Sequence, residues 1–278
     1  MPALSYPATE VRRHDRDRFL CSLFAPVGRR DALLALYAFN SAIARVRETV
    51  SEPLIGEIRL QWWWDRIAAI YDGIRPDDEL AAALADAVST HGLSRVSFET
   101  LIEGRRRDLD DRPLDDIADL TRYAERTSVA LNGLALEVLG VCDDAAALAA
   151  GRHAGIAWTM VGVIRAVPFH GAQGRFFLPS DICLDCGIDP ASPNLRSGEA
   201  AIAAVVRRIA GLAADHLEQA RSLKIPREAV PVLLPATLAS ADLAVLRKTG
   251  FDPFDGRNGL RGAGRLLRLA FNGFRGRF

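Results

Sequence analysis

Several groups of side chains in this sequence have the type and spacing to do chemistry. Glu48 and Glu52 stand four residues apart in a segment, 37–52, where Ile43, Val46 and Val50 recur at the i, i+3, i+7 spacing of one buried helix face. That spacing puts the two acids on one neighbouring face, and carboxylate oxygens are what a hard divalent cation binds. Arg105-Arg106-Arg107-Asp108-Leu109-Asp110-Asp111 is a dense charge cluster at an expected helix end. Read alone, it is a solvated face with local ion pairs, each worth little. Arg165 follows the apolar run Ile156 to Ile164, so its charge falls where burial is expected. A guanidinium there either meets an acid or a diphosphate or reaches out along a helix end, and the sequence leaves both open.

Cys183 and Cys186 form a CxxC. A structural zinc site needs four ligands, and Cys21 and Cys142 are isolated, so two ordinary cysteines on a short helical turn are expected. His14, His91, His153, His170 and His216 are dispersed without metal-ligand spacing. Trp62, Trp63 and Trp64 point about 100° apart on a helix, so one ring should meet solvent or a partner.

Helices must position these groups. Alanine, leucine and arginine dominate and alternating β-branched runs are absent. The pattern predicts helices over 9–24, 29–52, 54–71, 77–90, 94–109, 114–139, 144–167, 197–223 and 227–248, with 168–189 a Gly/Pro-rich loop holding one helical turn. One helical domain over 1–256 is expected, followed by a tail over 257–278. That tail holds six arginines and no acid, interleaved with Leu260, Leu266, Leu267, Leu269, Phe271 and Phe274. It fits either an anionic membrane surface or a solvated, frayed terminus.

The formal charge is zero, with 35 basic and 35 acidic residues, which gives no whole-protein field for nucleic acid. The N-terminal residues lack an apolar signal-peptide core. The most apolar window, 154–164, is shorter than the roughly 20 residues a bilayer requires. A soluble, cytoplasmic protein is expected, peripheral on the inner face of a membrane if the tail docks there.

Five stretches in chain order carry a resemblance. They are Phe24-Ala25-Pro26 with Arg29-Arg30; Leu36-Tyr37-Ala38-Phe39; Leu101-Ile102-Glu103-Gly104 with Asp108-Leu109; Tyr123 with the small-residue stretch to Gly140; and Gly174-Arg175-Phe176-Phe177-Leu178-Pro179 with Asp181. Together they resemble the squalene/phytoene synthase family over about residues 15 to 250. The resemblance implies an all-α, isoprenoid-synthase-type helical bundle around a central apolar cavity. It also implies head-to-head joining of two prenyl diphosphates, with Mg²⁺ held by aspartate-rich motifs on two facing helices.

The family's first motif, Asp-Asp-x-x-Asp, falls here on Ala44-Arg45-Val46-Arg47-Glu48, and the second, Asn-x-x-Arg-Asp, on Gly162-Val163-Ile164-Arg165-Ala166. Glu48 keeps an acid and Arg165 keeps the arginine. Alanine, glycine and arginine cannot ligate Mg²⁺, so no catalytic residue, metal or cofactor is expected. Residues expected to line a cavity or hold a ligand are Tyr37, Arg45, Glu48, Glu52, Asp108, Tyr123, Arg165 and Arg175.

A narrower resemblance joins residues 39–71, Leu109-Asp110-Asp111, Arg165-Ala166 with Pro168 and His170-Gly171, Asp181-Ile182-Cys183 and Phe251-Asp252-Pro253-Phe254 to a divergent branch of the family, the one containing mitochondrial complex I assembly factor 6. It implies a non-catalytic, membrane-peripheral factor with a prenyl or lipid ligand and with complex I subunits or assembly factors as partners. The alternative is an active prenyltransferase of squalene or phytoene synthase type. In that case Mg²⁺ would be held by Glu48, Glu52, Asp108 or Asp181. A third reading, a helical interaction module with a collapsed core, implies no cavity.

Overall fold

The computed structural model describes residues 4–191, 200–259 and 263–278. The described residues form helices and no strand; a single parallel bridge joins Leu114 to Pro179. The helices are α1 (Tyr6–His14), α2 (Arg16–Ser22), α3 (Val27–Ala44), α4 (Pro53–Tyr71), α5 (Glu79–His91), α6 (Arg95–Arg106), α7 (Ile117–Ala124), α8 (Ala130–Leu139), α9 (Ala145–Ala172), α10 (Ser180–Asp185), α11 (Ala200–Ser222), α12 (Val230–Lys248) and α13 (Ala263–Arg275).

Local chemistry breaks three of the expected helices differently. The helix expected over 9–24 is cut at Asp15, whose backbone leaves the helical region. Its carboxylate accepts from the Arg18 amide at 3.1 Å and so caps α2 instead of continuing α1. The helix expected over 29–52 stops at Ala44 and tightens into a 3₁₀ turn, Arg47–Thr49. Val46, Thr49 and Val50 are β-branched, and the Thr49 hydroxyl donates to the Val46 carbonyl at 3.0 Å. Glu48 and Glu52 therefore do not share a helix face: Glu48 sits on the turn, and Glu52 is the extended residue that precedes α4. The helix expected to end at Val167 runs through Pro168 to Ala172, 28 residues in all, although the proline removes one ladder donor.

The apolar stretch is correspondingly longer than 154–164. Two helical segments, 145–172 and 227–248, are long and apolar enough to cross a membrane, with 67% and 72% of their apolar windows buried inside the bundle. Core packing accounts for that composition. α9 is the central element, with α11 and α12 packed along it. Phe39 on α3 meets Trp63 and Phe98 edge to face at 5.1 and 5.4 Å. Trp63 is buried and Trp62 exposed, as their spacing predicts.

Between α7 and α8 the chain widens into a π turn, Glu125–Val129. Two glycines make room for it. A Cβ at Gly104 on α6 would lie 2.7 Å from the Arg126 carbonyl oxygen, and one at Gly155 on α9 would lie 3.0 Å from the Val129 nitrogen. Such single-turn widenings recur at functional sites.

In the tail, α13 lies across α12 and α2. Arg265 donates to Asp17 at 2.7 and 3.0 Å and to Asp242 at 3.1 and 3.3 Å. Asn272 donates to the Thr237 hydroxyl at 3.1 Å, and Leu269 is buried. Phe274 meets Phe24 edge to face. Leu260 lies outside the described residues.

Candidate functional site

A cavity of about 230 Å³ opens between α9 and the ends of α3 and α6. Each wall comes from a distinct local feature. The end of α3 gives Ala44, and the 3₁₀ turn after it gives Arg47 and Glu48. α6 and the turn that follows give Arg105 and Asp108, α7 gives Tyr123, and the π turn gives Thr127 and Ser128. α9 contributes Trp158, Thr159, Gly162, Val163, Ala166, Phe169 and His170, and the loop after it contributes Arg175 and Phe177. One wall is thus apolar and the other charged, the charged wall holding Glu48, Asp108 and Arg175 from among the residues expected to line a cavity.

The charged wall is tightly connected. The Tyr123 hydroxyl donates to Asp108 Oδ1 at 2.7 Å, and Arg105 donates to Asp108 Oδ2 at 3.2 Å and to the Tyr123 hydroxyl at 2.8 Å. Burial, reinforced by Asp108, drives the Tyr123 hydroxyl well above the ordinary tyrosine range even though Arg105 opposes it. Burial works against the Arg105 charge, yet Tyr123 and Asp108 more than compensate and raise it. Arg175 donates to the Asp108 carbonyl at 2.7 Å. Burial, then Arg175, lowers the His170 imidazole below its usual value against the opposing pull of Asp108. In the π turn, the Thr127 hydroxyl donates to the Tyr123 carbonyl at 2.6 Å, and Thr159 on α9 donates to Ser128 at 2.8 Å.

Of the residues singled out in the sequence, Glu48, Asp108, Tyr123 and Arg175 come together here, with Ala44, Gly162 and Ala166 on the facing walls. Glu48 is exposed at the mouth. Tyr37 is buried beneath Arg18, 5.8 Å from ring to guanidinium. Arg45 faces a separate groove with His14, Trp62 and Asp78. Glu52 is exposed beyond the turn. Arg165 points to the other side of α9 and meets Asp242 at 3.3 Å, in a recess of about 680 Å³ that shares Trp158, Gly162 and Ala166 with the cavity. Its acid partner is therefore protein.

Arg47, Arg105 and His170 belong to the site and were not expected there. Arg105 hid in the charge cluster, and only the fold shows that this one arginine turns inward while Arg106 pairs outside with Glu57 and Glu103. Asp181 does not line the cavity. Cys183 is buried and Cys186 half-buried, both as free thiols. Among the described residues, no three His, Cys, Asp or Glu side chains are grouped to hold a metal ion.

The described residues form a helical bundle with a cavity against its longest helix, as the isoprenoid-synthase helical fold requires. Solved structures share it: a dehydrosqualene synthase in complex with ligand superposes at a TM-score of 0.83 with 17% identity, covering 96% of this chain and 93% of its own. A squalene synthase from Alicyclobacillus acidocaldarius superposes at 0.79 with 21% identity, covering 89% and 94%. The squalene/phytoene synthase family profile matches residues 11–266, and the chain belongs to that family. NADH dehydrogenase (ubiquinone) complex I assembly factor 6 of Bos taurus is 36% identical over 246 residues, which is 88% of this chain and 74% of that protein. A presqualene diphosphate synthase of Rhodopseudomonas palustris is more distant, 27% identical over 70% of this chain and 69% of its own.

Proposed function

We propose that this protein is a non-catalytic member of its family, a membrane-peripheral factor in the assembly of respiratory complex I whose cavity receives a prenyl or lipid ligand. The observation that carries this reading is the composition of the facing cavity walls. Ala44, Gly162 and Ala166 line the facing walls, and they belong to the segments on which the resemblance to the family aligns its two metal motifs. Magnesium takes about six oxygen ligands in near-octahedral geometry. The cavity offers two carboxylates, Glu48 and Asp108. Both oxygens of Asp108 already accept, from Tyr123 and from Arg105. That donor set does not fit a multi-metal diphosphate centre, and the reading includes no cofactor.

The sequence similarity to complex I assembly factor 6 supports the assembly role. The outer face of α13 supports contact with the inner face of a membrane: Leu266, Leu267, Phe271 and Phe274 are exposed beside Arg268 and Arg275, and basic-apolar faces bind anionic lipid.

The test is a Mg²⁺-supplemented assay with farnesyl and geranylgeranyl diphosphate, run beside a measurement of assembled complex I in cells lacking the gene. No condensation product and reduced complex I are expected. Appreciable product would replace this reading with that of an active prenyltransferase using Mg²⁺ held by acids such as Glu48 and Asp108.

A further inference from the structure

Asp111 reaches the cavity from outside and holds two of its cations. Its Oδ1 accepts from Arg47 at 3.2 Å and from Arg175 at 2.9 Å. Asp111 is 56% exposed, whereas Arg47 and Arg175 are 21% and 11% exposed. Both arginines line the cavity and Asp111 does not. The two guanidiniums come from different segments, the turn after α3 and the loop after α9, and they meet at Asp111 Oδ1, with Arg47 also reaching Oδ2 at 3.5 Å.

We propose that Arg47 and Arg175 form a binding site for a phosphate-type anion that needs no metal, and that Asp111 is its built-in competitor. This rests on the reading that the cavity takes a ligand without magnesium, and it names that ligand's head group. Two guanidiniums that share one acceptor repel each other, and an anion between them offsets that repulsion. The present one is a single exposed carboxylate, and exposed pairs of this kind are held by little free energy. A phosphate brings up to twice the charge and three strong acceptor oxygens, so it competes well for both arginines.

The arginines are prepared for the exchange. Arg175 stays in place when Asp111 leaves, because its Nη2 donates independently to the Asp108 carbonyl at 2.7 Å. Arg47 carries a buried Nε with no hydrogen-bond partner, so its donors are incompletely used with Asp111 alone. The head group has two sources, a soluble phosphate ester or a phospholipid.

The experiment is calorimetric titration of the full chain with inorganic phosphate in EDTA, comparing wild type, Asp111→Asn, Arg47→Gln and Arg175→Gln. Thermal melts verify that each variant folds. Wild type should bind without metal, Asp111→Asn should bind about tenfold more tightly, and each arginine variant should lose binding. Vesicles containing phosphatidylglycerol, against phosphatidylcholine alone, distinguish the sources: if phosphate competes with vesicle binding, the head group is a lipid's, and if it does not, the ligand is soluble. Binding that requires Mg²⁺, or an Asp111→Asn variant no tighter than wild type, would overturn the proposal. Neither result depends on the condensation assay, so the two readings fail separately.

Discussion

The Tyr123 hydroxyl and the Asp108 carboxylate meet at 2.7 Å in the wall of the cavity, with Arg105 bonded to both. The three side chains come from α7, the turn after α6 and α6 itself, so this contact ties the charged wall together. Tyr123→Phe removes one donor from Asp108 and leaves Arg105 in place. Urea denaturation should show a loss of about 1–2 kcal/mol. Arg105→Met removes the cation paired with Asp108 and leaves only the Tyr123 hydroxyl on it, and should cost more, about 3 kcal/mol. Equal losses would contradict this order.

The glycines of the bundle should respond with opposite signs. Gly104→Ala places a methyl 2.7 Å from the Arg126 carbonyl oxygen and must push the π turn aside. It should destabilise by about 1–3 kcal/mol. Gly162→Ala, also within a helix, meets nothing within 4 Å. It should stabilise by about 0.4–1 kcal/mol, because alanine restricts the unfolded chain more and favours the helix. Chemical denaturation of both variants checks the contrast.

Acid should weaken the fold through α9 and α11. His153 Nδ1 and His216 Nδ1 lie 2.8 Å apart. Burial, then Arg152, lowers His153 against the pull of Glu125. Burial, then His153 and Arg152, lowers His216 against Asp215. Both imidazoles therefore take up protons more readily in the unfolded chain. Their contribution is present above the unfolded value of about 6.5 and is lost as the pH falls through the lower folded values. Stability measured from pH 7.5 to pH 5 should fall, and the double variant His153→Gln/His216→Gln should show a shallower slope.

Removing the Arg265 side chain should release α13. Arg265 and Asp17 are each 8% exposed and Asp242 is 14% exposed, so Arg265→Ala takes the cation that α13 supplies away from two largely buried carboxylates, while Asp242 keeps Arg165. The expected cost is about 3–5 kcal/mol. Hydrogen exchange should show protection lost along α13 first. Uniform loss across the bundle would indicate that the helix is part of the core's cooperative unit.

The helical order was legible because composition and periodicity act locally. The break points were not. Asp15 had to choose capping over continuing, and Val46 to Val50 had to end α3 early. That early end separated Glu52 from the site and turned Arg45 into a different groove. Tyr123, Asp108 and Arg175 were recognisable from the motif segments that contain them. Arg47 and Arg105 were not, since neighbouring arginines of the same type face opposite ways and only tertiary packing selects between them. Arg165 offered a charge beside an apolar run without its partner, and Asp242 lies 77 residues further on.

The pair between Asp17 and Arg265 spans 248 residues of sequence. On a growing chain, α2 is made near the beginning and waits for its counter-charge until α13 has emerged. Throughout that interval Asp17 and Asp242, both destined for burial, have no Arg265. Long-range contacts of this kind form late and slow the completion of a fold. The bundle around α9 can assemble earlier from nearer segments, whereas the closure of α2 and α12 beneath α13 must come last, so shortened chains should accumulate as open bundles that still expose Phe24 and the outer side of α12.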